Sequence, residues 1–234
     1  MVIPGTQGGN SSQYYDMVKV NSTDIAVVYY DQTAENLKLA YSSNAWDTNN
    51  LTNTGATWTT ITLDSSALAG QHVSATTDGT YIYVAYYDNA SADLKLLRVT
   101  WADKSVSGPY VIDSYLSVGT WTQIQVFNGV PYITYYSDSY NGTKKPIRMA
   151  FPTDGLGNVS AGNILTHGVL SNGLSEKPSG TWEVITIPAI TVPKGGMEQF
   201  NHTQLGTYTN NGLTLPVVGW LADRIEYAKL QPNN

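Results

Sequence analysis

The chain of 234 residues is 41% hydrophobic and only 13% charged, which provides enough apolar material for a buried core and excludes a disordered chain. Its net charge of −6, with no run of Lys or Arg, argues against binding to nucleic acids or to anionic membrane surfaces. The absence of cysteine excludes disulfides, thiol catalysis and cysteine-bound zinc.

Residue usage and the N-terminus bear on location. Low charge with abundant Asn, Thr and Tyr favours an extracellular or cell-surface protein. The N-terminal MVIPGTQGGNSS has neither the basic nor the apolar part of a signal peptide, which predicts a mature or excised fragment. No apolar run approaches the length of a membrane helix, so membrane insertion is not expected.

One motif of apolar strand, two aromatics, Asp, loop and second apolar strand recurs along the chain. Its copies are IAVVYYDQTAENLKLAYSS at 25–43, IYVAYYDNASADLKLLRVTW at 82–101, YITYYSDSYNGTKKPIRMAF at 132–151 and, more weakly, LTLPVVGWLADRIEYAKL at 213–230. Each copy predicts an antiparallel hairpin, here called strands b and c. A strand-like segment precedes each hairpin as strand a, and the segments WTTITLD, GPYVIDS and NILTHGV predict strand d after the first three.

Four-strand repeats of about 50 residues, without helical periodicity, predict an all-β protein and specifically a β-propeller of four-stranded antiparallel blades. The predicted blades span residues 13–64, 72–114, 121–169 and 203–230, with an irregular insertion or degenerate blade at 171–202. Four blades are preferred over five, and the N-terminal strand at 1–5 is expected to close the ring. An eight-bladed homodimer is a further alternative.

The aromatic pair, the Asp and the following Leu-Lys, with WTTITLD downstream, resemble bacterial β-propellers with BNR or Asp-box-like repeats. This superfamily includes sialidase-like and lectin-like propellers, and the similarity covers residues 13 to 230. It implies a propeller fold with either glycan binding or glycoside hydrolysis. The segment SSNAWDTNNLTNTGATW at 42–58 has the residue types of an Asp box with a longer spacing, so it is not one.

The repeated aromatic and acidic residues are the first candidate binding site. If the b–c loops open on a ligand funnel, aromatic faces would stack on sugars and carboxylates would accept hydrogen bonds from their hydroxyls. The predicted rim is Tyr30, Asp31, Tyr87, Asp88, Tyr136, Asp138, Trp220 and Asp223. The competing interpretation is structural and is favoured by the repetition: the first Tyr of each pair packs between blades, and the Asp caps the b–c turn.

Two further sets repeat. Basic residues at the start of strand c are expected to pair with the Asp of their own hairpin; these are Lys38, Lys95 and Arg148. Trp residues that follow Gly and Thr are expected to cover blade edges, with sugar stacking as the alternative; these are Trp58, Trp121 and Trp182.

Catalytic constellations are sparse. A sialidase-like site needs an arginine cluster, and the three arginines, Arg98, Arg148 and Arg224, are too scattered to predict one. A glycosidase carboxylate pair stays open, with Asp64, Asp113, Glu176 and Glu183 as candidates near funnel loops. The histidines at 72, 167 and 202 are isolated, so neither a metal nor a cofactor is expected.

The sequence therefore predicts a non-catalytic, glycan-binding or adhesive surface module, whose partner would be a carbohydrate or glycoconjugate. The first alternative is a glycoside hydrolase. The second is a structural module of a cell-envelope or surface assembly.

Overall fold

The computed structural model describes residues 14–44, 57–127, 129–137, 147–152, 182–186, 203–210, 213–221 and 225–229. The first sheet contains β1 (Tyr15–Lys19), β2 (Ile25–Asp31), β3 (Asn36–Ser42) and β4 (Thr59–Asp64). The second contains β5 (Ala69–Thr77), β6 (Tyr81–Asp88), β7 (Asp93–Thr100) and β8 (Val106–Asp113). The third contains β9 (Val118–Phe127), β10 (Val130–Ser137), β11 (Ile147–Pro152) and β12 (Trp182–Thr186). The fourth contains β13 (Thr203–Asn210), β14 (Leu213–Leu221) and β15 (Ile225–Lys229).

Every regular element in the described part of the chain is a strand, and within each sheet a strand pairs antiparallel with the strand next to it in sequence. The first three sheets have four strands in the order a-b-c-d, and the fourth has three among the described residues. The predicted all-β class and repeated antiparallel sheets are thus confirmed. None of the described residues belongs to a helix that could span a membrane.

The central strand of the second sheet is buried on both faces because the first sheet covers one side and the third sheet covers the other. Strand β6 is buried from Ile82 to Asp88, as expected for a strand stacked between two layers. The turn before it contains Gly79 at φ 90°, a conformation that glycine adopts without strain. Asp78 and Gly79 thus lie in the turn of the β5–β6 hairpin.

Two apolar cores hold the first three sheets together. In the first core, Val28 and Leu39 of the first sheet pack against Val84 and Tyr86 of the second. In the second core, the opposite face of the second sheet, which includes Tyr83, packs against the third sheet. Strand β6 contributes side chains to both cores, because successive residues of a strand point to opposite faces of the sheet.

The first strands of consecutive sheets lie next to one another, β1 beside β5, β5 beside β9 and β9 beside β13. Side chains link them: the Asp16 carboxylate accepts hydrogen bonds from Ser74 Oγ at 3.1 Å and from the Ala75 N–H at 2.9 Å. Ser74 Oγ in turn accepts one from the Ile124 N–H at 3.3 Å. These four first strands therefore lie side by side across the stack of sheets, and we call them the inner strands.

The third sheet differs from the prediction in its fourth strand. The segment 171–202 was expected to be an insertion, yet β12 within it pairs with β11. Trp182 and Val184 alternate along β12 and pack into the second core, which explains why this segment forms a strand. The predicted strand NILTHGV and the N-terminal closing strand at 1–5 lie outside the described residues.

Candidate functional site

The Asp that ends each of the first two b strands caps its own turn. Asp31 Oδ1 accepts hydrogen bonds from the N–H groups of Thr33 and Ala34 at 3.0 and 3.1 Å. Its Oδ2 receives Lys38 Nζ at 2.5 Å. The predicted pairing of Lys38 with its own hairpin is therefore confirmed.

Asp88 repeats the same arrangement in the second sheet. Its Oδ1 accepts hydrogen bonds from Ala90 and Ser91 N–H at 2.9 and 3.3 Å, and its Oδ2 pairs with Lys95. Partial burial by itself raises the pKa of both Asp31 and Asp88, but these hydrogen bonds and the lysine charges outweigh it and hold each pKa below its ordinary value. Both carboxylates serve the hairpin, as the structural interpretation predicts.

The first Tyr of the second and third aromatic pairs joins neighbouring sheets. Tyr86 donates a hydrogen bond to Asp64 Oδ2 of the first sheet at 2.5 Å. Tyr135 donates one to Asp113 Oδ2 of the second sheet at 2.6 Å. Each carboxylate ends the strand d of the preceding sheet, so the contact repeats from sheet to sheet. The predicted position of these tyrosines between sheets is confirmed.

Arg148 departs from the expected pairing. Its Nη1 donates to Asp113 Oδ2 at 2.9 Å across the sheet boundary, and both side chains are less than a tenth exposed. Asp138, the expected partner in its own hairpin, lies outside the described residues. The Arg side chain is longer than that of Lys and carries several donors, and here it reaches the neighbouring sheet.

The second Tyr of each pair is largely buried: Tyr30, Tyr87 and Tyr136 are 6, 7 and 5% exposed. Tyr87 Oη lies 3.2 Å from Ser117 Oγ, and burial raises the pKa of Tyr136 to about 12. Because these three rings are buried, little of their faces is free to stack on a ligand. Asp223 lies outside the described residues and Trp220 is placed by its backbone in β14 alone, so the sugar-binding role of this set stays a prediction.

The b–c and d–a connections meet at one end of the sheets, here called the mouth. The Leu68 N–H donates to the Glu35 carbonyl at 2.7 Å, and the Val118 N–H donates to the Ala92 carbonyl at 3.0 Å. Both bonds join a d–a connection to the b–c turn of the preceding sheet. The predicted shared end of these loops is therefore present in the first two sheets.

Three partly exposed rings from consecutive inner strands meet at the mouth, and we call them the aromatic row: Tyr14, His72 and Trp121. The His72 ring centroid lies 4.4 Å from that of Tyr14 and 4.8 Å from that of Trp121. Two further rings lie behind the row. The Tyr30 ring centroid is 6.5 Å from that of Tyr14, and the Tyr87 ring centroid is 6.1 Å from that of His72. This cluster differs from the expectation that His72 is isolated and that Trp121 covers a blade edge.

A repeated β-bulge presents two members of the row. In β5 two residues, His72 and Val73, oppose the single residue Tyr86. In β9 Trp121 and Thr122 likewise oppose one residue of β10. His72 and Trp121 have φ values of 51° and 56°, a region that non-glycine residues seldom occupy. Such bulges redirect side chains, and here the His72 ring lies beside those of Tyr14 and Trp121.

A glycine two residues before each bulged ring allows the strand to pass close to the preceding sheet. Gly70 and Gly119 have φ values of 111° and 109°. A Cβ at either position would lie 2.9 Å from a side-chain or backbone atom of Leu37 or Leu94, so only glycine fits. The Thr122 hydroxyl donates to the His72 carbonyl, which ties the first bulge to the next strand. The spacing Gly-x-aromatic in GQH and GTW was the sequence signal for the row.

The described acids and arginines do not form a catalytic set. Asp64 and Asp113 each accept a tyrosine hydroxyl and a turn N–H, while Glu176 and the side chain of Glu183 lie outside the described residues. Arg98 lies 4.3 Å from the Tyr81 ring centroid, at the end of the sheet opposite the mouth. The described side chains contain no group of three or more His, Asp or Glu residues placed to hold a metal ion.

Comparison with known proteins adds no assignment. No protein-family model matches the chain, and no curated protein matches it.

Proposed function

We propose that this chain is a non-catalytic binding module that binds carbohydrate at the mouth, with the aromatic row as the contact surface. The observation that carries the proposal is the repeated bulge, which holds His72 and Trp121 in strained conformations beside Tyr14. Strain of this kind costs about 1–3 kcal/mol per residue and is concentrated at functional sites. A backbone that repeats it in two sheets while changing the side chain favours a binding role.

The chemistry of the mouth suits a sugar. Aromatic faces contact the C–H groups of a sugar ring, while its hydroxyls need donors and acceptors nearby. Gln71 is next to His72 and its side chain hydrogen-bonds to Tyr30, and Ser117 lies beside Tyr87. Rings and neutral polar groups therefore alternate along the same surface.

The fold proposed for this module is a four-bladed β-propeller, with five blades as the alternative. Support comes from the consecutive contacts of the inner strands and from the inter-sheet Tyr–Asp bonds. Ring closure by the N-terminal strand is part of the proposal, because the fourth sheet has three strands among the described residues. Deletion of residues 1–5 should then lower the free energy of unfolding sharply, and an unchanged value would contradict this closure.

A glycoside hydrolase is less well supported. Of the candidate acids for such an enzyme, Asp64 and Asp113 each accept a tyrosine hydroxyl and a turn N–H, so their carboxylates are occupied by contacts within the fold. Incubation with each bound glycan should release no reducing ends. Turnover abolished by substitution of a single acid would favour the hydrolase instead.

The test is a glycan-array screen of the purified chain and three variants. Trp121→Ala and His72→Ala should each lower binding about tenfold or more, since stacking rings at binding sites carry much of the affinity. Trp101→Ala is the matched control, because Trp101 packs against Tyr41 and Lys104 away from the mouth. Circular dichroism checks that each variant folds.

Two outcomes would contradict the proposal. Equal loss of binding in the Trp101 variant would show a general effect of instability. Absence of binding to any glycan, together with a solution mass of twice the monomer or more, would favour the structural module of a surface assembly.

A further inference from the structure

The first two b–c turns share a backbone but carry their second acid at different positions, Glu35 in the first turn and Asp93 in the second. Glu35 and Ala92 occupy the same turn position, with φ values of 52° and 62°, just before the residue that pairs with the capping Asp. The first turn therefore carries an exposed carboxylate where the second carries a methyl group. A difference at equivalent positions of a repeat cannot be required by the turn itself.

Glu35 is held at the mouth by its own backbone. Its carbonyl accepts the Leu68 N–H at 2.7 Å, in the connection that continues through Gly70 to Gln71 and His72. The carboxylate lies close enough to the Tyr30 hydroxyl to contribute to its raised pKa, after the larger contribution from burial. The turn that carries Glu35 thus lies beside the start of β5, whose Gln71 bonds to Tyr30 behind the Tyr14–His72 half of the aromatic row.

The nearest lysine in the same hairpin does not neutralise Glu35. Lys38 Nζ is 2.5 Å from Asp31 Oδ2, so its charge is compensated by the capping carboxylate. Lys95 is paired in the same way with Asp88 in the second sheet. The Glu35 carboxylate consequently gives this half of the mouth a negative charge.

We infer that Glu35 is a specificity residue that accepts hydrogen bonds from sugar hydroxyls and makes the site select neutral saccharides over sialylated or sulfated ones. The inference rests on the proposed carbohydrate-binding function. A carboxylate is a strong acceptor for hydroxyl donors and repels a carboxylate or sulfate held at the same place. The selectivity is electrostatic, so it weakens as salt rises.

The experiment uses a glycan array that carries neutral oligosaccharides beside their sialylated and sulfated counterparts. The parent chain should bind the neutral member of each recognised pair about fivefold more tightly, the scale of an exposed charge interaction near 1 kcal/mol. Glu35→Gln should reduce this preference to about twofold or less. Raising the salt concentration should reduce it in the parent chain but not in the variant.

The matched control is Asp103→Asn, which removes one negative charge in the turn between β7 and β8, at the opposite end of the second sheet. This variant should keep the full preference for neutral glycans. Equal or stronger binding of acidic glycans by the parent, or an unchanged preference in Glu35→Gln, would overturn the inference while leaving carbohydrate binding intact. Binding to no glycan at all would overturn the proposed function and the inference together.

Discussion

The b–c hairpins and the inner-strand bulges both repeat along the chain. The hairpins repeat side chains as well as backbone, whereas the bulges repeat the backbone alone. In the hairpins the side chains recur with the backbone, as in the Asp31–Lys38 and Asp88–Lys95 pairs. In the bulges the backbone recurs while the exposed side chain changes from His72 to Trp121. The conserved contacts are all satisfied internally, whereas the variable rings face the mouth.

This difference separates structural from functional repetition. A side chain that must bond to its own turn or to the next sheet is needed in each copy of the unit. A side chain that contacts a ligand meets a different part of that ligand in each copy. Variation on a fixed, strained backbone is therefore the better indicator of a binding surface in this molecule.

The largest expected effect separates the two contacts between sheets, one at Asp64 and one at Asp113. Asp113→Asn removes the carboxylate that pairs with the buried Arg148 guanidinium, which should lower the free energy of unfolding by about 3–5 kcal/mol. Asp64→Asn is the matched control, because Asp64 receives Tyr86 without an arginine, and it should cost about 1 kcal/mol. Urea denaturation measures both, and equal losses would contradict a special role for Arg148.

A second comparison tests whether the bulge depends on the close approach of glycine. Gly119→Ala places a Cβ 2.9 Å from the Leu94 backbone and should cost about 3 kcal/mol. Gly79→Ala meets nothing within 4 Å and adds only the strain of its positive φ, about 1 kcal/mol. Thermal unfolding distinguishes the two, and similar values would mean that space at Gly119 does not matter.

The sequence predicted the parts of this structure that depend on near neighbours. The hairpins follow from strand patterns around a turn, and the Asp31–Lys38 pair joins residues seven positions apart. The Tyr86–Asp64 and Tyr135–Asp113 bonds each span 22 positions and depend on how one sheet stacks on the next, so only the location of the tyrosines between sheets was predictable.

The aromatic row was not predictable for a related reason. Its members come from three different sheets, and a bulge shifts the strand register so that alternation no longer gives the direction of a side chain. The pairing of the strand at 182–186 with the third sheet was missed because its partner β11 is separated from it by a long stretch of chain. Gly two residues before a ring was the single local sign of the bulges.

A third comparison uses the same tyrosine position in two sheets. Tyr86→Phe removes a buried hydrogen bond to Asp64 and should cost about 1–2 kcal/mol. The Tyr29 hydroxyl is buried and bonds to no neighbouring sheet among the described residues, and its contact is with Thr60 of its own sheet. Tyr29→Phe should therefore change stability by less than about 0.5 kcal/mol. A large loss in Tyr29→Phe would indicate that a partner outside the described residues bonds to this hydroxyl.

The smallest expected effect concerns pH and tests whether the hairpin carboxylates are purely structural. The folded pKa values of Asp31 and Asp88 lie below the ordinary value of about 3.9. Their contribution to stability is therefore present above about pH 4 and is lost as the pH falls through the lowered folded values, by less than about 1 kcal/mol for each. Urea denaturation from about pH 5 to pH 2 should show this loss in the parent chain and a smaller one in Asp88→Asn, where the Asn side chain can still cap the turn.

Because the Asp88→Asn variant leaves the aromatic row untouched, its glycan binding at neutral pH should match that of the parent chain. Reduced binding with unchanged acid stability would instead make Asp88 a ligand contact and return the Tyr–Asp rim to the binding site.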